Sequence, residues 1–264
     1  MNKFKLLLIF FVFLSFGSCT MNHAKVDNDL KKYFDSSHVD GCFALLNNQM
    51  GNITVYNMKL DTERISAGTS FKIPETLIGI QTGKVINENT KLVSDSTVTD
   101  NPTLKEAFAN SSVSFFRTLA KEIGKDTLKF WLDSIGYGNK EINDSPDSLF
   151  LKNDIQISPD EQLGMLSKLY FEQLPFQKYG QEMVANMMLQ KEDSLYKLSY
   201  TTGTATDGKD QHIGWNLGWI EENRHIYFFV TLVKTPDSSV DVKSTSIDVS
   251  KAVLQGLGFF KGEK

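Results

Sequence analysis

Two hydroxyl residues and a lysine stand close together in the segment GTSFKIPETLIGI, which spans residues 68–80. Thr69 and Lys72 are three residues apart, so on a helix their side chains lie on the same face, whereas Ser70 and Lys72 face different directions. A lysine enclosed by apolar residues loses its charge more easily, and a neutral amine can accept a proton from a neighbouring hydroxyl. The segment therefore has the parts of an activated nucleophile. A helix start capped by Thr69 or Ser70, with Lys72 in solvent, is the simpler interpretation of the fragment by itself.

Three further short fragments carry polar groups at regular points along the chain. They are Ser-Ser-Val at 111–113, Tyr-Gly-Asn at 137–139 and Thr-Thr-Gly at 201–203. Taken singly, they indicate a helix cap, a turn and the end of a strand. Chemistry would require the fold to bring them to the segment at 68–80.

The elements that must position these fragments follow from hydrophobic periodicity. The alternating and apolar runs predict strands at 41–48, 53–58, 194–205, 212–222 and 225–233. Apolar residues at three-to-four spacing predict helices at 29–37, 71–83, 103–112, 113–124, 125–136, 158–174 and 246–260. Ser158 followed by Pro159 is typical of a helix start.

The order of these elements predicts an α/β fold with one antiparallel sheet flanked by the terminal helices. A helical lobe at about residues 88–190 is inserted between the early and late strands. No linker or internal repeat divides residues 19–264, which we treat as a single domain. A cleft between the sheet and the lobe is a common place for a ligand.

The N-terminus has a different composition from the rest of the chain. A positive start, a short apolar run and small residues predict a secretory signal over residues 1–18. Cys19 follows Gly17 and Ser18, as in a bacterial lipoprotein cleavage box, so we expect Cys19 to be lipidated and the protein to be exported and held at the cell envelope. Plain secretion, with Cys19 incidental, is the alternative. Residues 19–26 then form a polar tether.

Charge and cysteine content exclude several classes of function. The 264 residues carry a formal net charge of -4 and no basic block, so no nucleic-acid partner is expected. Cys42 has no partner for a disulfide if Cys19 is lipidated, and we expect it to be buried in a strand. The histidines and cysteines lack the spacing of metal ligands, so neither a metal nor another cofactor is predicted. The oligomeric state is open.

Together, the order and separation of the four fragments resemble those of the class D β-lactamases, within the penicillin-recognising serine acyltransferases that also include transpeptidases and β-lactam sensor domains. The likeness covers almost all of the mature chain. It includes the nucleophile helix at 71–85, the late helix in IQISPDEQLGMLSKLYFEQLPF, and the strand pair containing IGWNLGWIE. It implies an envelope protein that binds a β-lactam or a peptidoglycan-like peptide.

The resemblance also implies roles for individual residues. Thr69 occupies the position of the nucleophile, or Ser70 if the local alignment slips. Lys72 matches the lysine that takes up CO₂ as a carbamate and acts as the general base, and Ser111 matches the serine that relays protons. The implied substrate-binding residues are Val113, Tyr137, Asn139, Thr201, Thr202, Gly203, Thr204 and Trp215. The backbone amides of Thr69 and Thr204 could form an oxyanion hole.

This chain departs from the family pattern at the chemistry itself. Threonine replaces the nucleophilic serine at Thr69, and Thr201 stands where K-T-G has its lysine. Phe150 aligns with the tryptophan that holds the carbamate, and it cannot donate a hydrogen bond. The arginine that binds the substrate carboxylate has no clear counterpart, and Lys243 is the nearest basic residue.

Three hypotheses follow from this mixture of kept and lost residues. The first is a divergent β-lactamase-like hydrolase whose acyl transfer is weakened by the replacements. The second is a non-catalytic binder or sensor of β-lactams or muropeptides. The third is a structural envelope lipoprotein that uses the fold as a scaffold.

Overall fold

The computed structural model describes residues 24–92, 101–142, 155–207 and 210–264. The strands are β1 (Ala24–Val26), β2 (Asp40–Asn47), β3 (Asn52–Tyr56), β4 (Ile65–Ser66), β5 (Gln156–Ile157), β6 (Leu189–Glu192), β7 (Tyr196–Thr206), β8 (His212–Glu222) and β9 (His225–Thr235). The helices are α1 (Lys31–Ser36), α2 (Met58–Asp61), α3 (Lys72–Gln81), α4 (Leu104–Asn110), α5 (Val113–Ile123), α6 (Lys125–Ile135), α7 (Pro159–Tyr170), α8 (Lys178–Met187) and α9 (Val242–Gly256).

Seven strands form one sheet in the order β1-β3-β2-β9-β8-β7-β6. All neighbouring pairs are antiparallel except β1 and β3, which run parallel. The late strands β7, β8 and β9 are separated by only a few residues along the chain, as is typical of antiparallel hairpins. The predicted α/β fold with an antiparallel sheet is thus confirmed.

The two faces of the sheet bury different sets of side chains. The terminal helices α1 and α9 cover one face, where Phe34, Phe229 and Val253 belong to one buried cluster. The other face packs against α7 and, through α3, against the helical part of the chain. Since successive residues of a strand point to opposite faces, each residue of β7 is assigned to one of these layers.

Several elements differ from the sequence prediction. Residues 24–26 are β1, paired with β3, where the pattern indicated a tether. Helix α8 was not predicted, and neither was the short edge strand β6. Helix α9 begins at Val242, four residues before the predicted start, because Asp241 caps its first turn by accepting from the Lys243 and Ser244 amides.

Other predictions of local structure are confirmed. Cys42 lies in β2 and is fully buried, as the pattern predicted. Ser158 and Glu161 form a reciprocal capping box at the start of α7, with Pro159 in the first turn. The predicted signal at residues 1–18 and Cys19 lie outside the described residues, as does Phe150.

Candidate active site

A 3₁₀ turn, Gly68–Phe71, leads directly into α3 and lies against β7. Backbone approaches backbone here at two glycines. A side chain on Gly68, whose φ is +48°, would place its Cβ 2.1 Å from the Thr204 carbonyl oxygen. A Cβ on Gly203 would lie 2.4 Å from the Ser70 backbone nitrogen. Only glycine at these two positions lets the turn lie this close to the strand.

Thr69 faces the exposed edge of β7. The backbone N–H of Thr204 donates to Thr69 Oγ1 over 2.8 Å. This amide is available because β6 pairs with β7 only as far as Ser199, so the outer edge of β7 beyond it has no strand partner among the described residues. Thr69 is 8% exposed, so only a small part of the residue is open to solvent. The implied nucleophile and one implied oxyanion donor are therefore in direct contact.

Ser70 has a structural role instead. It is fully buried, and its hydroxyl donates to the Ala67 carbonyl over 2.7 Å. Gln162 Nε2 donates to Ser70 Oγ over 3.1 Å and to the Tyr137 hydroxyl over 3.3 Å. The alternative in which Ser70 attacks the substrate is therefore wrong in this structure, because its oxygen is enclosed and its proton is engaged.

Tyr137 belongs to this buried layer and not to a substrate surface. It is 2% exposed, and its ring packs against Phe71 with centroids 5.8 Å apart. Burial raises the pKa of its hydroxyl above the ordinary value, so Tyr137 stays protonated. The prediction that Tyr137 contacts substrate is corrected, because the residue packs in the interior against Phe71 of the 3₁₀ turn.

Lys72 is enclosed at the start of α3. It is fully buried, its Nζ lies 2.7 Å from Ser111 Oγ, and the same nitrogen is 5.0 Å from the centre of the Phe108 ring. Burial, with a smaller contribution from the positive charge of Lys243, lowers the Lys72 pKa to about 7. Near neutral pH a large fraction of this amine is therefore uncharged and able to accept a proton.

Ser111 reaches Lys72 through an unusual backbone conformation. It ends α4 with φ 54° and ψ 47°, in the left-handed region, and Ser112 then caps α5. Its hydroxyl also lies 3.4 Å from the carbonyl oxygen of Thr202 on β7, which is longer than an ordinary hydrogen bond between two oxygens. Val113 begins α5 and is half-buried beside it. The resulting chain of groups runs from the lysine through Ser111 to the strand.

Register divides the motif residues of β7 between the two faces of the sheet. Thr201 pairs with Leu217 and shares the face of Gly203, toward α3 and the nucleophile turn. Thr202 pairs with Asn216, whose amide donates to Ser250 of α9, so the Thr202 side chain lies on the opposite face. Thr201 is thus the β7 threonine whose side chain is directed to the candidate site.

Trp215 and Asn139 bind backbone groups of the protein itself. Trp215 is fully buried, and its indole N–H donates to the Ser66 carbonyl over 3.0 Å. Asn139 accepts from the Gln156 amide over 3.0 Å. The substrate contact predicted for Trp215 is corrected, because the ring holds β4 against the sheet. Asn139 fastens the turn after α6 to β5, and its contact with a substrate stays a prediction.

Sequence reasoning missed two residues of the site. Gln162 looks like any interior residue of α7, yet it links the nucleophile turn to Tyr137, and Phe108 provides the apolar wall over Lys72. No local sequence pattern identifies either residue, because each contacts residues that are far away in the chain.

The described residues contain no group of three or more His, Cys, Asp or Glu side chains that could hold a metal ion. The same part of the chain has no helix long and apolar enough to cross a bilayer. The chemistry available is that of a hydroxyl, a buried amine of lowered pKa, a second hydroxyl and a strand-edge amide. Together these groups can support transfer of an acyl group to an alcohol.

Comparison with known proteins agrees with this chemistry. Residues 35–255 match the penicillin binding protein transpeptidase domain. The chain is 35% identical over 219 residues to the probable β-lactamase YbxI of Bacillus subtilis, covering 80% of each protein. It is 26% identical to the regulatory protein BlaR1 of Bacillus licheniformis, over 88% of this chain but only 39% of that longer protein.

Solved structures give the same result. FUS-1 (OXA-85), a class D β-lactamase from Fusobacterium nucleatum subsp. polymorphum, superposes with a TM-score of 0.82 at 29% identity, covering 90% of this chain and all of that one. The C-terminal domain of the Bacillus licheniformis BlaR penicillin-receptor gives 0.83 at 25% identity, covering 91% and 98%. The chain belongs to the penicillin-binding transpeptidase family, and within that family to the class D β-lactamase-like serine acyltransferases.

Proposed function

We propose that this protein is an exported penicillin-recognising protein in which Thr69 forms a slowly hydrolysed acyl-enzyme with β-lactams or with related cell-wall peptides. The observation that supports it best is the contact of Thr69 Oγ1 with the Thr204 amide at 2.8 Å, three residues before the fully buried Lys72. An alcohol, an oxyanion donor and an uncharged amine are the three parts that acylation needs.

The reaction assigns one task to each group. Thr69 Oγ1 attacks the lactam carbonyl carbon and loses its proton to the base at Lys72, either the free amine or its carbamate. The carbonyl oxygen becomes an anion that the Thr204 N–H stabilises. The carbon–nitrogen bond then breaks, and Ser111 delivers the proton from Lys72 to the leaving nitrogen. A water molecule later cleaves the ester and releases the acid.

The replacements favour a slow reaction. The extra methyl of Thr69 restricts its side-chain rotation, and misplacing an attacking oxygen by about 1 Å can lower a rate by about a hundredfold. Thr201 gives no positive charge for a substrate carboxylate. Lys243 is the nearest basic residue that could bind this carboxylate instead, since its positive charge helps to lower the Lys72 pKa. We expect acylation to be measurable and hydrolysis to be weak.

A non-catalytic binder or sensor is the second candidate. Its supporting observation is that the Thr204 N–H already donates to the Thr69 hydroxyl. A substrate carbonyl can accept from this N–H only after the Thr69 hydroxyl has moved away from it. One of the similar structures is a penicillin-receptor domain, for which binding is the named activity. Under this proposal the cleft holds a β-lactam or muropeptide with no ester formed.

Mass spectrometry of the mature protein with a penicillin separates these candidates. An adduct with the mass of the whole penicillin, present in wild type and absent from Thr69→Ala, supports acyl transfer. Ser70→Ala is the matched control and should keep the adduct, since Ser70 Oγ is engaged with Ala67. A rise in melting temperature without an adduct supports the binder. Neither adduct nor shift would overturn both and leave the structural scaffold.

Export and anchoring belong to the same proposal. The sequence pattern at residues 1–18 and at Cys19 supports a lipoprotein of the envelope. Labelled palmitate should enter the wild-type protein and not Cys19→Ser. Export of the unlabelled protein would instead favour simple secretion.

A further inference from the structure

A groove of about 620 Å³ lies away from the candidate active site. Its walls are the β6–β7 hairpin, the second half of α9 and the segment that follows this helix. We refer to it as the C-terminal groove; it is lined by Lys191, Lys251, Lys261, Tyr196, Tyr200 and Phe259, among others. Tyr200 precedes Thr201 on β7, so its side chain points away from the face that carries the nucleophile turn.

Lysine is the charged residue of the groove lining. Three lysines line it, while the nearby carboxylates are Asp193, paired with Lys191, and Asp248, whose charge raises the pKa of Tyr200. The ammonium group of Lys191 already has partners within the protein, since its Nζ is 2.8 Å from an Asp193 oxygen and 2.7 Å from the Tyr196 hydroxyl. Within the described part of the chain, Lys251 and Lys261 have no carboxylate at ion-pair distance. These two ammonium groups are available to an anion.

Aromatic rings form the apolar part of the groove. Tyr196 packs against Phe260 with ring centroids 5.0 Å apart, and Phe259 packs edge-on against Tyr227 at 4.8 Å. Tyr200 forms the wall on β7. The volume lies within the range of small-molecule sites, which are commonly apolar with a few placed charges. Such a surface suits a ligand that has a flat or apolar body and a charged end.

The wall made by the C-terminal segment is held in place by one buried carboxylate. Glu222, at the end of β8, is 1% exposed and accepts hydrogen bonds from four successive backbone amides. The donors are Phe260, Lys261, Gly262 and Glu263, at 2.7–3.1 Å. Charge-assisted bonds of this kind are stronger than neutral ones. The groove is therefore formed before any ligand arrives, which lowers the entropic cost of binding.

We propose that the C-terminal groove binds an amphipathic organic anion, with the apolar body against Tyr196, Tyr200 and Phe259 and the acidic group between Lys251 and Lys261. A carboxylate, sulfonate or phosphate fits this description equally, because each presents oxygens to two ammonium groups. The site is separate from the acyl-transfer site and does not depend on its activity.

The experiment uses 8-anilinonaphthalene-1-sulfonate as the probe, an aromatic ring system with one sulfonate. We expect saturable fluorescence enhancement with one probe per chain. Lys251→Gln combined with Lys261→Gln should weaken the dissociation constant at least tenfold. Lys84→Gln combined with Lys121→Gln is the matched control, since it removes two exposed lysines elsewhere and should change the constant less than twofold. Near-ultraviolet circular dichroism verifies that each variant is folded.

Two further measurements locate the probe. Bound probe should slow acetylation of Lys251 and Lys261 by acetic anhydride, read by peptide mass spectrometry, and leave Lys84 unaffected. Tyr196→Ala should weaken probe binding severalfold, whereas added sulfate should compete poorly because it lacks an apolar body. Equal weakening by both lysine pairs, non-saturable binding, or full displacement by a penicillin would overturn the proposal.

Discussion

The backbone N–H of Thr204 donates a hydrogen bond to Thr69 Oγ1 over 2.8 Å. The hydroxyl expected to attack a substrate is therefore bonded to the amide expected to stabilise the resulting oxyanion. In the same site Lys72 Nζ contacts Ser111 Oγ at 2.7 Å. Catalysis would require Thr69 to leave its amide and turn toward a carbonyl carbon. The added methyl of threonine makes that rotation harder, because a β-branched side chain has fewer accessible rotamers.

Replacing Thr69 by serine and Thr201 by lysine should increase acylation and hydrolysis by about tenfold or more. Serine lacks the restricting methyl, and a lysine at 201 would point to the face of the nucleophile turn and attract a substrate carboxylate. Hydrolysis of a chromogenic cephalosporin measures the effect. Thr202→Lys is the matched control and should not help, because its register directs the side chain toward α9. An inactive Thr69→Ser/Thr201→Lys protein that still folds would show that other parts of the cleft limit the reaction.

The acylation rate should rise as pH increases from 6 to 8. The Lys72 pKa is lowered to about 7, so the neutral amine that accepts a proton, or that reacts with CO₂, becomes the main form across this window. Stopped-flow or quenched mass spectrometry gives the rate at each pH. A carbamate should also give a ¹³C signal from labelled bicarbonate that Lys72→Ala lacks. A rate constant independent of pH in this interval would exclude Lys72 as the base.

Lys243→Gln should weaken recognition of anionic substrates by about fivefold in KM, near the 1 kcal/mol expected for a partly exposed charge pair. It should also move the pH midpoint of acylation upward, since the positive charge of Lys243 helps to lower the Lys72 pKa. Lys243→Arg should restore both properties. A loss of kcat with unchanged KM and pH midpoint would assign Lys243 a purely structural role.

Asp61→Asn should stabilise the protein at pH 8 by up to about 4 kcal/mol and leave its stability near pH 3 unchanged. Asp61 is 3% exposed, and burial, together with the charge of Asp160, raises its pKa from 3.8 to about 7. Between these values the folded state holds a proton that the unfolded state has lost, so wild-type stability falls as pH rises through this window. Urea unfolding at several pH values measures the slope. Glu63→Gln, an exposed change two residues away, should leave the slope unaltered.

Local patterns were sufficient for most of the secondary structure. The strands β7 to β9 and the helix α7 were predictable, because alternation and the Ser158 capping box are local properties of the sequence. Helix α8 was missed because its short amphipathic face includes a buried glycine, Gly180, which packs on Ile80. Strand β1 was missed because three exposed residues become a strand only by pairing with β3.

The candidate site was predictable in part. The nucleophilic role of Thr69 stays a prediction, whereas the contact of Lys72 with Ser111 was predictable from the resemblance of their spacing to a known family. The roles of Ser70 and Tyr137 were not, because both depend on Gln162, which lies 92 positions from Ser70 in the chain. The orientation of Trp215 was likewise undetermined, since either face of β8 could have been the buried one.

Residue types and their spacing were enough to predict the class of the fold, the family and the chemical groups available: a threonine in the nucleophile position, a lysine three residues later and no lysine at 201. The packed fold was needed to show that Ser70 Oγ is enclosed, how far the Lys72 pKa falls and which face of β7 carries Thr201. The physical reason is that hydrogen-bond partners, burial and register join residues far apart in the chain, and each of these properties exists only after the sheet and helices have packed together.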